Sequence, residues 1–203
     1  MISNEILKSI KKYQYFTVTI GVGNVVFDLN HLKESYLKSK RCLGYRLMLG
    51  NNRVIQEEDC AGYSRVVDLL PFQMESTLIH GLEQASMNIT LKILDEIFNN
   101  IMNNPNRNPE QIKLINRHLI SLIYLTASRK GISLAELEED QAVLLKRVDD
   151  LDEVELMKDE IENLVSKYIR AKAAVDVREE LFIVKNMKEY VYLHYNSYSR
   201  KLI

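Results

Sequence analysis

Residues that interrupt helices are scarce in this chain, which has seven glycines and three prolines among its 203 residues. Glycine and proline are the two least favourable residues in a helix interior, and many-stranded β proteins need them at their frequent turns. An apolar fraction of 46% with 27% charged residues is ordinary for a globular protein that buries a core. We therefore predict a mainly helical chain.

The first 62 residues are predicted to form a small unit of the order αβαβ. Its elements are a helix over residues 4–12, a strand over 15–22, a helix from Asp28 or Asn30 to about Leu49, and a strand over 53–55. In the first strand apolar residues alternate with threonines, which is the pattern of a half-buried strand. Asp28 or Asn30 is suited to cap the helix, and Gly50 with its neighbouring asparagines is suited to end it.

From residue 72 onward the apolar residues recur at helical spacing. The predicted helices cover residues 74–84, 90–103, 110–129, 152–174 and 177–195, with a turn at 86–88 and a polar loop at 103–109. Pro109 is suited to a helix start, and Ser133 with Glu136 fits a capping box. Because the connections are short, neighbouring helices should run antiparallel. The predicted fold class is α+β, mainly α: an αβαβ unit over 1–62, an antiparallel helical bundle over 72–175, and a connector over 176–203.

Charge is distributed unevenly although the whole chain has a net charge of only −1. Residues 133–163 hold twelve acidic and three basic side chains, a net charge of −9, whereas residues 164–203 hold eight basic and four acidic ones, a net charge of +4. A free-standing nucleic-acid-binding domain usually carries a basic surplus. We therefore expect weak, non-specific DNA binding at most from this chain alone.

The two cysteines, Cys42 and Cys60, do not form a CxxC pair. We interpret them as reduced thiols in a cytoplasmic protein rather than as a disulfide or a metal site. No apolar segment is long enough to span a membrane, and the first residues do not open a signal peptide. These features predict a cytoplasmic chain without membrane contact.

Motifs that carry chemistry are missing from the sequence. His31, His80, His118 and His194 stand alone, without a second histidine one helical turn away. Gly21-Val22-Gly23 lacks the third glycine of a dinucleotide-binding loop, because position 26 is valine, and is interpreted as a sharp strand end. We therefore predict no catalytic residue, no metal site and no cofactor, and we expect that the chain is not an enzyme.

Several segments of the N-terminal unit carry a resemblance to a known family. The segments TVTIGVG (17–23), LKESY (32–36), KRCLGYR (40–46) and LGNNRVI (49–55) resemble the second half of a degenerate GGDEF-type domain. The resemblance places the GGDEF signature itself before Met1. It therefore does not imply cyclase activity for this chain.

The same unit, together with the helical region after it, resembles the central region of AraC-type bacterial transcription regulators. LPFQMESTLI (70–79) is similar to the segment that comes after the α/β unit in that family, and VKNMKEYV (184–191) is similar to the first helix of the DNA-binding domain or to the connector before it. The resemblance implies a segment that couples an N-terminal receiver or membrane sensor to a C-terminal helix-turn-helix domain. DNA would be reached only through that domain, whose recognition helix is not in this sequence.

Two apolar stripes near the end of the chain suggest self-association. One stripe includes Ile161, Leu164 and Tyr168, and the other includes Val191. AraC-type regulators act on DNA in pairs, so the resemblance implies a homodimer. Two alternatives stay open: the stripes are core within one copy, or the helical region is instead a domain that senses a small ligand.

Overall fold

The computed structural model describes residues 2–12, 17–60, 70–104 and 108–199. In chain order the elements are α1 (Ile2–Lys11), β1 (Ile20–Gly21), α2 (Leu32–Gly44), α3 (Arg46–Leu49), β2 (Val54–Ile55), α4 (Phe72–Glu83), α5 (Met87–Asn103), α6 (Pro109–Arg129), α7 (Leu134–Leu137), α8 (Gln141–Asp149) and α9 (Val154–Ser199). The chain is mainly helical with one small sheet, which confirms the predicted α+β, mainly α class. None of the helices in the described ranges is both long and apolar enough to cross a membrane.

The sheet contains two short parallel strands. Ile20 of β1 pairs with Val54 of β2, and Gly21 pairs with Ile55. The strand predicted over 15–22 is longer than the observed one, since β2 offers a partner of just two residues after the turn at Asn52, whose φ is 62°. Tyr15 and Phe16 of that prediction lie outside the described residues.

Gly21 and Gly23 are the points where this sheet touches α2. A Cβ on Gly21 would lie 2.2 Å from the carbonyl oxygen of Ser39, and one on Gly23 would lie 2.1 Å from that of Ser35. These glycines therefore let the strand lie directly against the backbone of the helix. Gly21 and Gly23 thus allow close packing against α2, in addition to ending the strand as predicted.

The helix predicted to run to Leu49 is divided in two. The amide of Tyr45 donates to the carbonyl of Cys42, a tighter turn that ends α2, and α3 then begins at Arg46. Tyr45, Cys42, Ile55 and Cys60 are buried together in a small core, and both cysteines are free thiols.

The main core lies between α4, α5, α6, α7, α8 and α9. The cap of Asn108 ahead of Pro109 and the capping box of Ser133 and Glu136 are both present, which confirms the two predicted helix starts. The turn predicted at 86–88 is wrong, because Ser86 is extended and occupies the N-cap position of α5, which begins at Met87. Of the predicted loop at 103–109, residues 105–107 lie outside the described residues.

The last helix is longer than predicted. The sequence pattern predicts one helix over 152–174 and a second over 177–195, whereas α9 runs unbroken through Ala174, Val175 and Asp176. That stretch contains neither glycine nor proline, so nothing interrupts the backbone hydrogen bonds. With 46 residues, α9 is about 69 Å long. Residues 200–203 of the predicted connector lie outside the described residues.

Candidate functional site

The N-terminal unit, residues 2–60, contacts the main core where α9 begins. The guanidinium of Arg46, at the start of α3, forms an ion pair with Asp152, two residues before α9. The amide of Asn51 lies 3.5 Å from the carboxylate of Glu153. Leu47 belongs to the same apolar core as α9. The N-terminal unit therefore meets the rest of the chain next to the first turn of α9.

The first half of α9 is a core helix. The buried stripe consists of Val154, Met157, Ile161, Leu164, Val165, Tyr168, Ala171 and Val175. Ile161, Leu164 and Tyr168, which the sequence suggested for self-association, have no exposed surface at all. Their apolar surface is covered by other helices of the same chain, so these three residues are core positions and offer nothing to a second copy in this fold.

The hydroxyl of Tyr168 is the one unusual feature of that stripe. It has no hydrogen-bond partner among the described residues. Burial raises the pKa of this phenol to about 12, and Glu83 and Asp176 add to the effect. An unpaired buried hydroxyl costs free energy that an apolar side chain of the same shape avoids.

We expect Tyr168→Phe to be at least as stable as the natural chain in urea unfolding, with a gain of up to about 1 kcal/mol. Tyr124→Phe is the matched control, since its hydroxyl donates to the carbonyl of Glu139 at 3.1 Å. That change should cost about 1 kcal/mol. A clear loss of stability in Tyr168→Phe would show that its hydroxyl has a partner.

A buried carboxylate joins α8 to α9. The side chain of Glu139, in the turn before α8, is only 9% exposed. It lies 2.6 Å from the guanidinium of Arg147 and 3.0 Å from the ammonium of Lys167. Arg147 also contacts Glu160 at 2.6 Å. Burial alone raises the pKa of Glu139, but Lys167 and Arg147 outweigh it and hold the pKa below its usual range.

This carboxylate makes stability depend on pH. A group whose pKa is lower in the folded than in the unfolded state stabilises the fold above its unfolded pKa, and the benefit disappears as pH falls through the folded pKa. We expect Glu139→Gln to cost about 1–3 kcal/mol at neutral pH, and we expect this cost to shrink as pH falls through the lowered pKa of the folded state. Urea unfolding over a series of falling pH values measures the change, with the adjacent, exposed Glu138→Gln as control. A cost that stays the same at every pH would contradict this role.

The helix leaves the core just after Val175. Its last ion pair to the core joins Arg178 to Glu136, the residue that also closes the capping box of α7. Hydrogen bonds from the backbone and side chain of Ser133, with one from Arg178, hold the pKa of Glu136 below its usual range. Glu136 is therefore ionised at neutral pH, which keeps this pair charged where α9 departs.

Residues 177–194 of α9, which we call the arm, are exposed without exception. Ten apolar side chains on the arm are each 47–70% exposed: Val177, Leu181, Phe182, Ile183, Val184, Met187, Tyr190, Val191, Tyr192 and Leu193. Val191, the fourth residue suggested for self-association, lies here and not in the core. Contiguous exposed apolar surface of this kind is typical of an interaction site.

A cleft of about 420 Å³ lies between α2, α3 and α6, beside the start of α9. Its charged lining residues are Lys40, Arg41, Arg46 and Lys113 together with Glu110 and Asp152. The ammonium of Lys113 donates to the carbonyl of Asp149 at 2.6 Å. The charged side chains of the cleft thus include more basic than acidic residues, and the cleft lies where the N-terminal unit meets α9.

The histidines are dispersed through the described part of the chain. His118 contacts Glu75 at 2.8 Å, His31 lies near Asp28, and His194 packs against Tyr190 with ring centroids 4.2 Å apart. Among the described residues there is no group of three or more histidine, cysteine or acidic side chains that could hold a metal ion. Each of these three contacts joins one histidine to one other side chain.

Sequence reasoning missed the contact between Arg46 and Asp152, the pairing of Glu139, and the helix α8. The ion pairs depend on tertiary packing and leave no mark in a local pattern. A signal for the continuous α9 was present, since residues 171–174 are alanines and a lysine and neither glycine nor proline follows before Val177. Comparisons with protein-family models, with curated proteins and with solved structures find no match for this chain.

Proposed function

We propose that this chain is a signal-transmitting segment of an AraC-type transcription regulator. In this proposal a sensor or receiver domain acts on the N-terminal unit, and α9 carries the change to a helix-turn-helix domain beyond the arm. The chain itself catalyses no reaction. DNA is contacted only by that further domain.

The observation that carries the proposal is the position of the two ends of α9. The N-terminal unit contacts the chain at Asp152 and Glu153, immediately before the helix begins. Towards the other end the helix leaves the core after Val175, and residues 177–194 are exposed. An unbroken helix links the two places, so a rotation or shift at one end moves the other.

Transmission of a signal requires two conformations that differ in free energy. Events at both ends of α9 must shift the equilibrium between these conformations. We propose that the ion pair of Arg46 with Asp152 is made in one arrangement and broken in the other. Both side chains are partly exposed, at 33% and 38%. An ion pair between partly exposed side chains contributes about 0–1 kcal/mol to stability, so a signal of similar free energy is enough to break it.

Three further features belong to the same proposal. Neighbouring helices of the core run antiparallel, as their short connections suggest. The protein acts in the cytoplasm, where its DNA target lies. It works as a homodimer, because paired DNA-binding domains recognise paired half-sites at a fixed spacing.

Hydrogen–deuterium exchange on the full chain tests the coupling. In Arg46→Ala the ion pair at the start of α9 is lost, and we expect altered deuterium uptake in the arm, which begins about 25 residues beyond Asp152. The matched control is Lys130→Ala, which breaks the 3.0 Å pair with Glu83. Lys130 is 34% exposed, close to the 33% of Arg46, but its pair joins α4 to the end of α6. Arm uptake identical in both variants would contradict the proposal.

The basic cleft beside α9 favours a second candidate function, the sensing of a small anionic ligand. Lys40, Arg41, Arg46 and Lys113 line it, and a bound anion would compete with Asp152 for Arg46. A rise in melting temperature with pyrophosphate that disappears in Lys113→Ala would favour this function. No rise with pyrophosphate would count against it.

A further inference from the structure

The two cysteines of this chain lie at the same place in the fold, although they are far apart in the sequence. Cys42 lies in the last turn of α2, and Cys60 closes the one-turn 3-10 helix Glu58–Cys60 that follows β2. They are 1% and 5% exposed, and with Tyr45 and Ile55 they form the small core of the N-terminal unit. The thiol of Cys42 is a hydrogen-bonding neighbour of the Cys60 thiol. Both thiols are free, so the fold brings together the two partners of a disulfide.

The two thiols differ in how firmly they are held. The Cys60 thiol donates to the carbonyl of Gln56 at 3.3 Å, and the amide of Gln56 donates to the carboxylate of Asp59 at 2.9 Å. The amide of Cys60 donates to the carbonyl of Glu57 at 3.0 Å. All three bonds lie within one turn, and local structure of this kind opens at a low free energy. Cys42, on a helix of 13 residues, is the more firmly placed thiol.

We propose that Cys42 and Cys60 are a redox-active dithiol, which a small-molecule disulfide such as oxidised glutathione converts into an intramolecular disulfide. In the first step the Cys60 thiolate attacks one sulfur of the reagent, whose other half leaves as a thiolate. The Cys42 thiolate then attacks the Cys60 sulfur of this mixed disulfide, and the second half of the reagent leaves. The protein gives up two protons and two electrons, and the reagent is reduced to two thiols.

Burial determines when this reaction takes place. Burial and the neighbouring Cys42 thiol raise the pKa of Cys60 to about 12, so almost no thiolate exists at neutral pH while the 3-10 turn is closed. Opening of the turn exposes Cys60 to water, where the pKa of a thiol is about 8.5. The rate of oxidation therefore follows the opening of the turn.

The new bond lies beside the contact between the N-terminal unit and α9. The carbonyl of Cys42 accepts a hydrogen bond from the amide of Tyr45, which comes directly before Arg46, the partner of Asp152. A disulfide ties this end of α2 to the turn of Cys60, so the position of Arg46 depends on the redox state. The bond itself is independent of the proposed function, but its effect on α9 rests on that function and names an oxidant as the signal. Disulfides in reducing compartments are usually transient, catalytic or redox-sensing.

Mass spectrometry of the folded full chain tests the dithiol. After incubation with excess oxidised glutathione, the natural chain should be lighter by two hydrogen atoms and should lose both sites for iodoacetamide. Excess reduced dithiothreitol should restore them. A chain that keeps two free thiols, that stops at the mixed disulfide, or that forms the internal bond only when unfolded in urea would overturn the proposal.

Single cysteine variants test the order of the two steps. In Cys42→Ala the reaction should stop at one glutathione bound to Cys60, because the second thiol is missing. Cys60→Ala is the matched variant, and its Cys42 should bind glutathione on the order of tenfold more slowly, since α2 keeps that thiol buried. Circular dichroism checks that both variants are folded. Faster reaction at Cys42 would contradict the assignment of Cys60 as the attacking thiol.

Hydrogen–deuterium exchange on the oxidised and the reduced chain tests the effect on α9. We expect the disulfide to change deuterium uptake in the arm, whereas the same reagent should leave uptake in Cys60→Ala almost unchanged. Identical uptake in the oxidised and reduced natural chain would overturn the redox signal to α9. Mass spectrometry reports the disulfide whether or not the arm responds, and Arg46→Ala tests the coupling without any oxidant. Failure of the dithiol is therefore distinguishable from failure of the proposed function.

Discussion

Replacing Ile161 with aspartate should unfold the chain. Ile161 has no exposed surface and lies in the middle of the buried stripe of α9. An aspartate there would place an unpaired charge among apolar side chains and would remove the packing of the isoleucine, at a cost of more than about 4 kcal/mol. Because the total stability of a protein is about 5–15 kcal/mol, the expected result is a chain that is largely unfolded or close to it. Circular dichroism and urea unfolding measure the loss.

Val191→Asp is the matched comparison on the same helix. Val191 is 61% exposed on the arm, so at protein concentrations where the chain is monomeric the new charge stays in water and the change in unfolding free energy should remain within about 0.5 kcal/mol. The two variants together separate a core position from a surface one. A folded, stable Ile161→Asp would show that α9 does not pack as described.

Substituting alanine for Gly21 or Gly23 should disrupt the N-terminal unit. The added Cβ would lie 2.2 Å or 2.1 Å from a backbone oxygen of α2, distances that real Cβ atoms do not reach. The strand and helix must therefore separate, and we expect a loss of about 2–4 kcal/mol by analogy with overpacked cores. Fluorescence- or dichroism-monitored unfolding gives the magnitude.

The control for this prediction is Gly44→Ala. Gly44 ends α2, and a Cβ there would meet nothing within 4 Å, so the change should be neutral or slightly stabilising. Equal effects at Gly21 and Gly44 would mean that the strand does not lie against the helix. That result would contradict the predicted loss of stability.

Local patterns in the sequence predicted much of this fold. The spacing of apolar residues predicted α4, α5 and α6 to within a few residues, and the pair Ser133 and Glu136 predicted a helix start that the structure contains. Such features depend on neighbours in the chain, which a sequence displays directly. The order of helices and strands in the N-terminal unit was predictable for the same reason.

The candidate site was much less predictable. Val191 was suggested together with Ile161, Leu164 and Tyr168, yet the structure buries those three and leaves Val191 exposed. An apolar stripe looks the same in sequence whether a neighbouring helix or solvent covers it. The ion pairs of Arg46 with Asp152 and of Glu139 with Lys167 join residues far apart in the chain, and no periodicity reveals them.

The central claim is that α9 is one continuous helix from the core into the arm. Spin labels on Arg170→Cys and Lys188→Cys, both exposed positions 18 residues apart, test it by pulsed electron resonance in chains diluted with unlabelled protein. A continuous helix predicts a narrow distance distribution, with Cα atoms about 27 Å apart. A broad distribution, or a clearly shorter distance, would mean a break between core and arm and would contradict the account.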